Sequence, residues 1–172
     1  MKIKDPHRRL KMFWGKVDQK HICQIEKYVI GKDILDMGAG YGTTSTFLQN
    51  KGYNVIAIDL DSESIEIAKK LNPLINYKKL NAEDLPFEDA SFDTLVLRDA
   101  LHHFVGEANF EKVKKEMYRV LRNDGRIIFK KRKRKETTPP ISTFITQGKT
   151  KRTTSYRIKR IVITRCQHVP QT

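Results

Sequence analysis

The run Asp36-Met37-Gly38-Ala39-Gly40-Tyr41-Gly42-Thr43-Thr44 lies between two segments of different character. Ile34-Leu35 before it reads as a short buried strand, and Ser45-Thr46-Phe47-Leu48 after it reads as the start of a helix. Glycines at alternate positions permit positive φ and bring the backbone close to a ligand, because no Cβ stands in the way. The helix N-terminus beyond them offers free N–H groups and a partial positive charge that suit an anionic group. These features describe a nucleotide-cofactor loop. The dinucleotide fingerprint G-x-G-x-x-G would place its third glycine at the position held by Thr43. Here the third glycine is Gly42, and an acid, Asp36, stands two residues before the first. That spacing argues against a dehydrogenase.

Outward from the loop, the pattern alternates strand and helix. Upstream, Val17, Ile22, Ile25 and Val29 recur at roughly helical spacing, and Gly31-Lys32 breaks that helix before a strand at 33–37. The basic segment 1–16 carries Phe13 and Trp14, read as an arm packing on the body, with a lid over the ligand as the alternative. Downstream, the helix after the loop runs to about Asn50 and ends at Gly52. A second apolar strand, 54–58, closes on Asp59 and completes a right-handed βαβ unit. A carboxylate at that strand end accepts hydrogen bonds from ribose hydroxyls, and Asp59 stands 21 residues after Gly38, near the usual spacing. Asp61 or Ser62 is placed to cap a helix striped by Ile65, Ala68 and Leu71, which Asn72-Pro73 stops. A third strand at 76–80 leads into the polar loop Asn81-Ala82-Glu83-Asp84-Leu85-Pro86-Phe87, and a fourth at 94–97 ends in Arg98-Asp99-Ala100-Leu101-His102-His103. Phe110, Val113, Met117, Val120 and Leu121 fall at helical spacing. Asn123-Asp124-Gly125 is expected to end that helix before a fifth strand at 126–129.

Three of these stretches carry a resemblance. D-x-G-x-G-x-G from Asp36, N-A-E-D-L-P-F-x-x-x-x-F-D from Asn81, and V-L-R-N-D-G-R-I-I-F from Val120 resemble the class I S-adenosylmethionine (SAM)-dependent methyltransferases. The match is to their small-molecule, UbiE-like (methyltransferase-11) branch and covers about residues 30–129. The last stretch has Asn-Asp where Pro-Gly is common in that family. The resemblance implies an α/β, three-layer Rossmann-like fold with a mostly parallel sheet of order 3-2-1-4-5 and helices on both faces. It also implies SAM as cofactor and S-adenosylhomocysteine as product. By it, Asp36 and the backbone of Gly38, Ala39, Gly40 and Gly42 lie near the methionine part, and Asp59 on the ribose. Asn81 and Ala82 lie at adenine, and Leu60, Glu83 and Arg98 complete the cofactor side. Amino methyltransferases that use an N/D-P-P-Y/F tetrapeptide carry it where this chain has Arg98-Asp99-Ala100-Leu101, which argues against that chemistry. If the acceptor must lose a proton, His102, His103 and Asp99 are the candidate bases at the pocket rim. The plain alternative for each histidine is a surface or packing role.

Charge divides the chain. Residues 130–172 hold 13 Lys/Arg and one acid, against 21 basic and 19 acidic residues in 1–129. A core of 1–129, with its helical arm at 1–30, is therefore followed by a basic segment. After the fifth strand the family continues with a long helix and two more strands, and no amphipathic helix is visible here. Residues 141–147 and 156–164 have strand-like content and are expected to pair as a hairpin around 148–155, a shortened end to the sheet. A partly disordered segment outside the family pattern is the alternative. The run Lys130-Lys131-Arg132-Lys133-Arg134-Lys135 reads as a solvated stretch, as an electrostatic nucleic-acid contact, or as a nuclear-localisation-like signal. Cys23 and Cys166 have no ligand-like spacing, so no metal and no disulfide framework is expected. No apolar run approaches membrane-spanning length and no signal segment follows Met1, so a cytoplasmic protein without a membrane partner is expected. The expected activity is methyl transfer to a small-molecule acceptor. A SAM-binding module without catalysis and a nucleic-acid methyltransferase using the basic segment are the alternatives.

Overall fold

The computed structural model describes residues 22–100, 110–131 and 160–165, with Lys131 and 160–165 described by backbone alone. Phe13, Trp14, the His102-His103 pair, residues 132–135 and the strand expected at 141–147 lie outside the described residues. The elements are β1 (Asp33–Met37), α1 (Thr43–Asn50), β2 (Asn54–Asp59), α2 (Ser62–Leu71), β3 (Asn76–Lys79), β4 (Phe92–Arg98), α3 (Phe110–Val120), β5 (Leu121–Lys131) and β6 (Arg160–Arg165). Residues 22–26 are also helical. The strands form one sheet of order β3-β2-β1-β4-β5-β6 with every neighbouring pair parallel. The expected order 3-2-1-4-5 is present, and all these strands end on one edge of the sheet.

Because side chains alternate across a strand, each strand feeds two layers. Ile34, Val55, Val96 and Ile128 face Leu48 of α1 and Ile25 of the helical stretch before β1. Leu35, Leu95, Leu97, Ile127 and Phe129 face Val113, Met117 and Val120 of α3. Ala57 and Tyr77 pack beneath Ile65 and Ala68 of α2. Burial on both faces explains the adjacent apolar residues Ile34-Leu35 in β1 and Leu95-Val96-Leu97 in β4. Asp61 caps α2 as expected, accepting from the amides of Glu63 and Ser64 and from the Ser64 hydroxyl at 2.6 Å. The Ser64 hydroxyl, foremost, holds the Asp61 carboxyl below its ordinary range.

Two boundaries differ from expectation. Helix α3 ends at Val120, not at Asn123-Asp124-Gly125, because Leu121 already pairs with Phe92. The register then jumps from Phe92↔Leu121 to Thr94↔Arg126, so Arg122–Gly125 bulges out of the ladder. A Cβ on Gly125 would stand 2.6 Å from the Leu121 side chain, which is why the tight return takes glycine. Strand β5 also runs on through Lys130 and Lys131, so the basic run begins inside the sheet. Beside it, β6 overlaps the strand expected at 156–164 and pairs parallel with β5. The hairpin partner expected for it lies outside the described residues.

At the opposite edge, Asp93 accepts from the amides of Lys32 and Asp33 at 2.8 and 3.0 Å and pairs with Arg122 at 2.6 Å. Thr94 bonds both the amide and the carbonyl of Ile30. These contacts fasten the entry to β1 onto β4 and set where β1 ends, and so where the glycine loop begins.

Candidate cofactor site

The loop between β1 and α1 is a succession of left-handed turns. Gly38, Gly40 and Gly42 have φ of 73°, 53° and 75°. The amides of Gly38 and Ala39 both donate to the Ile58 carbonyl, at 2.9 and 3.0 Å, and hold the loop against the end of β2. The two later glycines meet different surroundings. A Cβ on Gly42 would lie 2.1 Å from the Tyr77 hydroxyl, whereas one on Gly40 would meet nothing within 4 Å. Gly42 is thus required by packing. Gly40 opens onto free space at the carboxyl edge of the sheet, the cradle a close-lying ligand needs.

Asp36 lies beneath this loop and is 1% exposed. It shares a face of the sheet with Ile34 and accepts from the Ser45 hydroxyl of α1 at 2.5 Å. Burial pushes its carboxyl up to about 6, against the lowering effects of the Ser45 bond and the nearby Arg98 guanidinium, and Asp59 adds a raising effect. Asp59, on the same face, accepts from the Gly40 amide at 2.7 Å through one oxygen and from the Asp61 amide at 3.0 Å through the other. It therefore braces the glycine loop against the cap of α2. A carboxylate has about four acceptor positions, so both oxygens keep capacity for a ligand's hydroxyls. Leu60 beside it is 65% exposed, a large apolar side chain left in water next to the open cradle.

The loop after β3 forms the next wall. The Asn81 side chain accepts from the Glu83 amide at 3.0 Å, and the Asp84 amide donates to the Asn81 carbonyl at 3.2 Å. The Leu80 amide donates to the Asp59 carbonyl at 3.1 Å, so this wall is tied directly to β2. Ala82 is buried against the core, while Asn81 is exposed. Arg98 and Asp99 end β4 on the same edge. Asp99 has φ 57°, and its amide donates to the Lys130 carbonyl at 2.8 Å.

The structure thus brings Asp36, Gly38, Gly40, Gly42, Asp59, Leu60, Asn81 and Arg98 to one edge of the sheet. Of the three candidate bases only Asp99 is among the described residues, at that same edge. Two features escaped the sequence reading. Lys130 is 3% exposed, and its ammonium donates to the Gln24 side chain at 2.5 Å, joining the helical stretch before β1 to the end of β5. Its place within a run of lysines and arginines hid it. The Asp36–Ser45 bond spans nine residues and leaves no motif. Among the described residues, no group of His, Cys, Asp and Glu could hold a metal ion, and no helix is long and apolar enough to cross a membrane.

A family model described as a methyltransferase domain matches residues 35–129, from the third residue of β1 into β5. The chain belongs to the methyltransferase domain family. The matched region contains the glycine loop, Asp59, the Asn81–Ala82 wall and the end of β4. A demethylmenaquinone methyltransferase from Clavibacter sepedonicus is 33% identical over 116 residues, covering 66% of this chain and 44% of the relative. A sarcosine/dimethylglycine N-methyltransferase from Halorhodospira halochloris is 35% identical over 103 residues, covering 56% and 36%. Among solved structures, a SAM-dependent methyltransferase from Methanosarcina mazei is 33% identical with a TM-score of 0.53, covering 58% of this chain and 52% of that one. The chain spans less than half the length of these curated relatives.

Proposed function

We propose that this methyltransferase domain binds SAM across the carboxyl edge of its sheet and transfers the methyl group to a small-molecule acceptor. The observation that carries the reading is the Asp59 carboxylate. It is held by the Gly40 and Asp61 amides beside an open glycine cradle, where one ligand reaches the loop and a ribose-binding acid together. The relatives that act on demethylmenaquinone and on sarcosine or dimethylglycine support a small acceptor. When bound, the sulfonium supplies an already activated methyl group, so the protein's work is to align the acceptor and exclude water. Asp36 and the glycine backbone hold the methionine part, and Asp59 the ribose hydroxyls. Leu60, Asn81 and Ala82 would hold the adenine, and Glu83 and Arg98 would complete the wall. Where the acceptor has a proton to lose, Asp99, His102 and His103 are the proposed bases.

The test is a methyl-transfer assay on the full chain with methyl-labelled SAM and a panel of demethylated quinones, secondary and tertiary amines, and RNA. Label is expected in a small-molecule product. Asp59→Ala is expected to raise the KM for SAM at least tenfold, the scale of one lost charged hydrogen-bond acceptor. Label confined to RNA, or SAM bound without any labelled product, would overturn the proposal.

A further inference from the structure

The wall formed by 81–90 is not held by its own turns alone. Helix α3, on the opposite face of the sheet from α1, clamps it through two side chains. The Arg119 guanidinium donates to the carbonyls of Phe87 at 2.6 Å and Leu85 at 2.7 Å, and to the Asp89 carboxylate at 2.9 Å. Its remaining donors go to both oxygens of Glu116, at 2.9 and 2.7 Å. Glu116 in turn accepts the Leu85 amide at 2.9 Å, and the Arg119 carbonyl accepts the Ala90 amide at 2.9 Å. Ala90 has φ 53°, a left-handed conformation that a side chain rarely adopts, at the point where the wall turns back toward β4. One turn earlier on α3, Lys112 stands 3.7 Å from Glu83. The segment that carries Asn81 and Ala82 is therefore gripped at Glu83, Leu85, Phe87, Asp89 and Ala90 by a single helix.

A planar guanidinium with five donors grips two carbonyls and a carboxylate at once, which a lysine ammonium at the same position does not. Glu116 is only 12% exposed in its side chain, and the Arg119 bonds, foremost, hold its carboxyl below the ordinary range. The pair stays charged, and its geometry is set by several strong bonds at once. Fixed geometry matters because a shift of about 1 Å in a positioned group costs up to a hundredfold in what it does. Ala82 is three residues from the gripped Leu85.

We propose that Arg119, paired with Glu116, is the positioning residue for adenine recognition: through Leu85 and Phe87 it sets where the Ala82 amide and Asn81 meet the adenine edge. The inference rests on the SAM reading above and names the device that orients one wall of that site. It predicts coupling between Arg119 and one ligand atom, the adenine N1 that the Ala82 amide would bond.

The experiment compares the affinity of the full chain for S-adenosylhomocysteine and for its 1-deaza analogue, in which adenine N1 is replaced by CH. Wild type, Arg119→Lys and Glu116→Gln are titrated by calorimetry after thermal melting confirms that each is folded. Wild type is expected to prefer S-adenosylhomocysteine by about tenfold, the scale of one well-formed hydrogen bond in a closed site. Arg119→Lys is expected to lose about tenfold in affinity for S-adenosylhomocysteine and little for the analogue, so that the preference collapses toward one. Glu116→Gln keeps an acceptor for the Leu85 amide and is expected to lose part of the preference. It carries the test if Arg119→Lys does not fold. Variants that bind as wild type does, or that weaken both ligands by the same factor, overturn the inference and leave the SAM reading standing. A folded wild type that binds neither ligand overturns both.

Discussion

Gly42→Ala is expected to cost about 3 kcal/mol of stability and to remove measurable SAM binding. About 1 kcal/mol of that is the strain of a β-carbon at positive φ, and the remainder is overpacking. The new methyl would lie 2.1, 2.7 and 2.8 Å from the hydroxyl, Cζ and Cε1 of Tyr77. The Tyr77 ring cannot swing clear, because it is buried in a cluster with Ile65, Ala68 and Ile75. Either the ring or the glycine loop must move, and the loop is the wall proposed to hold SAM. Gly40→Ala separates packing from binding. Its φ is also positive, at 53°, but its Cβ meets nothing in the protein. It is therefore expected to lose only about 1 kcal/mol while still abolishing SAM binding, because the methyl fills the cradle. Urea unfolding and calorimetry on both variants check this. Equal stability losses at the two positions would refute the packing assignment.

The second large effect is a pH dependence set by Asp36. In the folded chain its carboxyl holds a proton up to about 6, against 3.8 for an ordinary aspartate. The group's contribution to stability is therefore fully present below 3.8 and is lost as pH rises through about 6. A difference of this size corresponds to something on the order of 3 kcal/mol between the ends of that window. Asp36→Asn keeps a neutral group that still accepts from the Ser45 hydroxyl, so its stability should lack this component. The variant is expected to match wild type near pH 4 and to exceed it by on the order of 2–3 kcal/mol at pH 8. Binding runs the other way. SAM brings a sulfonium and an ammonium, both of which favour ionised Asp36. Wild-type affinity should rise as pH increases through about 6, while the variant binds weakly with a flat profile. Parallel stability curves for the two proteins between pH 4 and 8 would contradict the assignment.

Much of this architecture was legible in the sequence because the signals were local. Asp33–Met37 carries the apolar pair Ile34-Leu35 between a breaking Gly31-Lys32 and the glycine loop, and the observed strand has those same limits. Asp61 announces α2 because a cap needs only two or three following amides to be recognised. What the sequence hid depends on distance along the chain or on competition between patterns. The helix-to-strand change at Val120–Leu121 was obscured because Asn123-Asp124-Gly125 is a strong turn signal, yet that turn is a bulge within β5. Lys130 reads as part of a solvated basic run and is instead a buried strand residue against Gln24. The Arg119 clamp joins residues 30 to 34 positions apart, beyond any periodicity. The spacing of Asp59 led only to the proposed ribose contact, and its bracing of the Gly40 amide is visible only in three dimensions. The His102–His103 pair lies outside the described residues.

The most direct measurement is calorimetric titration of SAM into the full chain near neutral pH, with Gly40→Ala as the folded control. One SAM per chain is expected, with a Kd on the order of micromolar, accompanied by a rise in melting temperature that Gly40→Ala does not share. A cooperatively folded wild-type chain that gives no binding heat and no shift in melting temperature with millimolar SAM would contradict the assignment of this edge as the cofactor site.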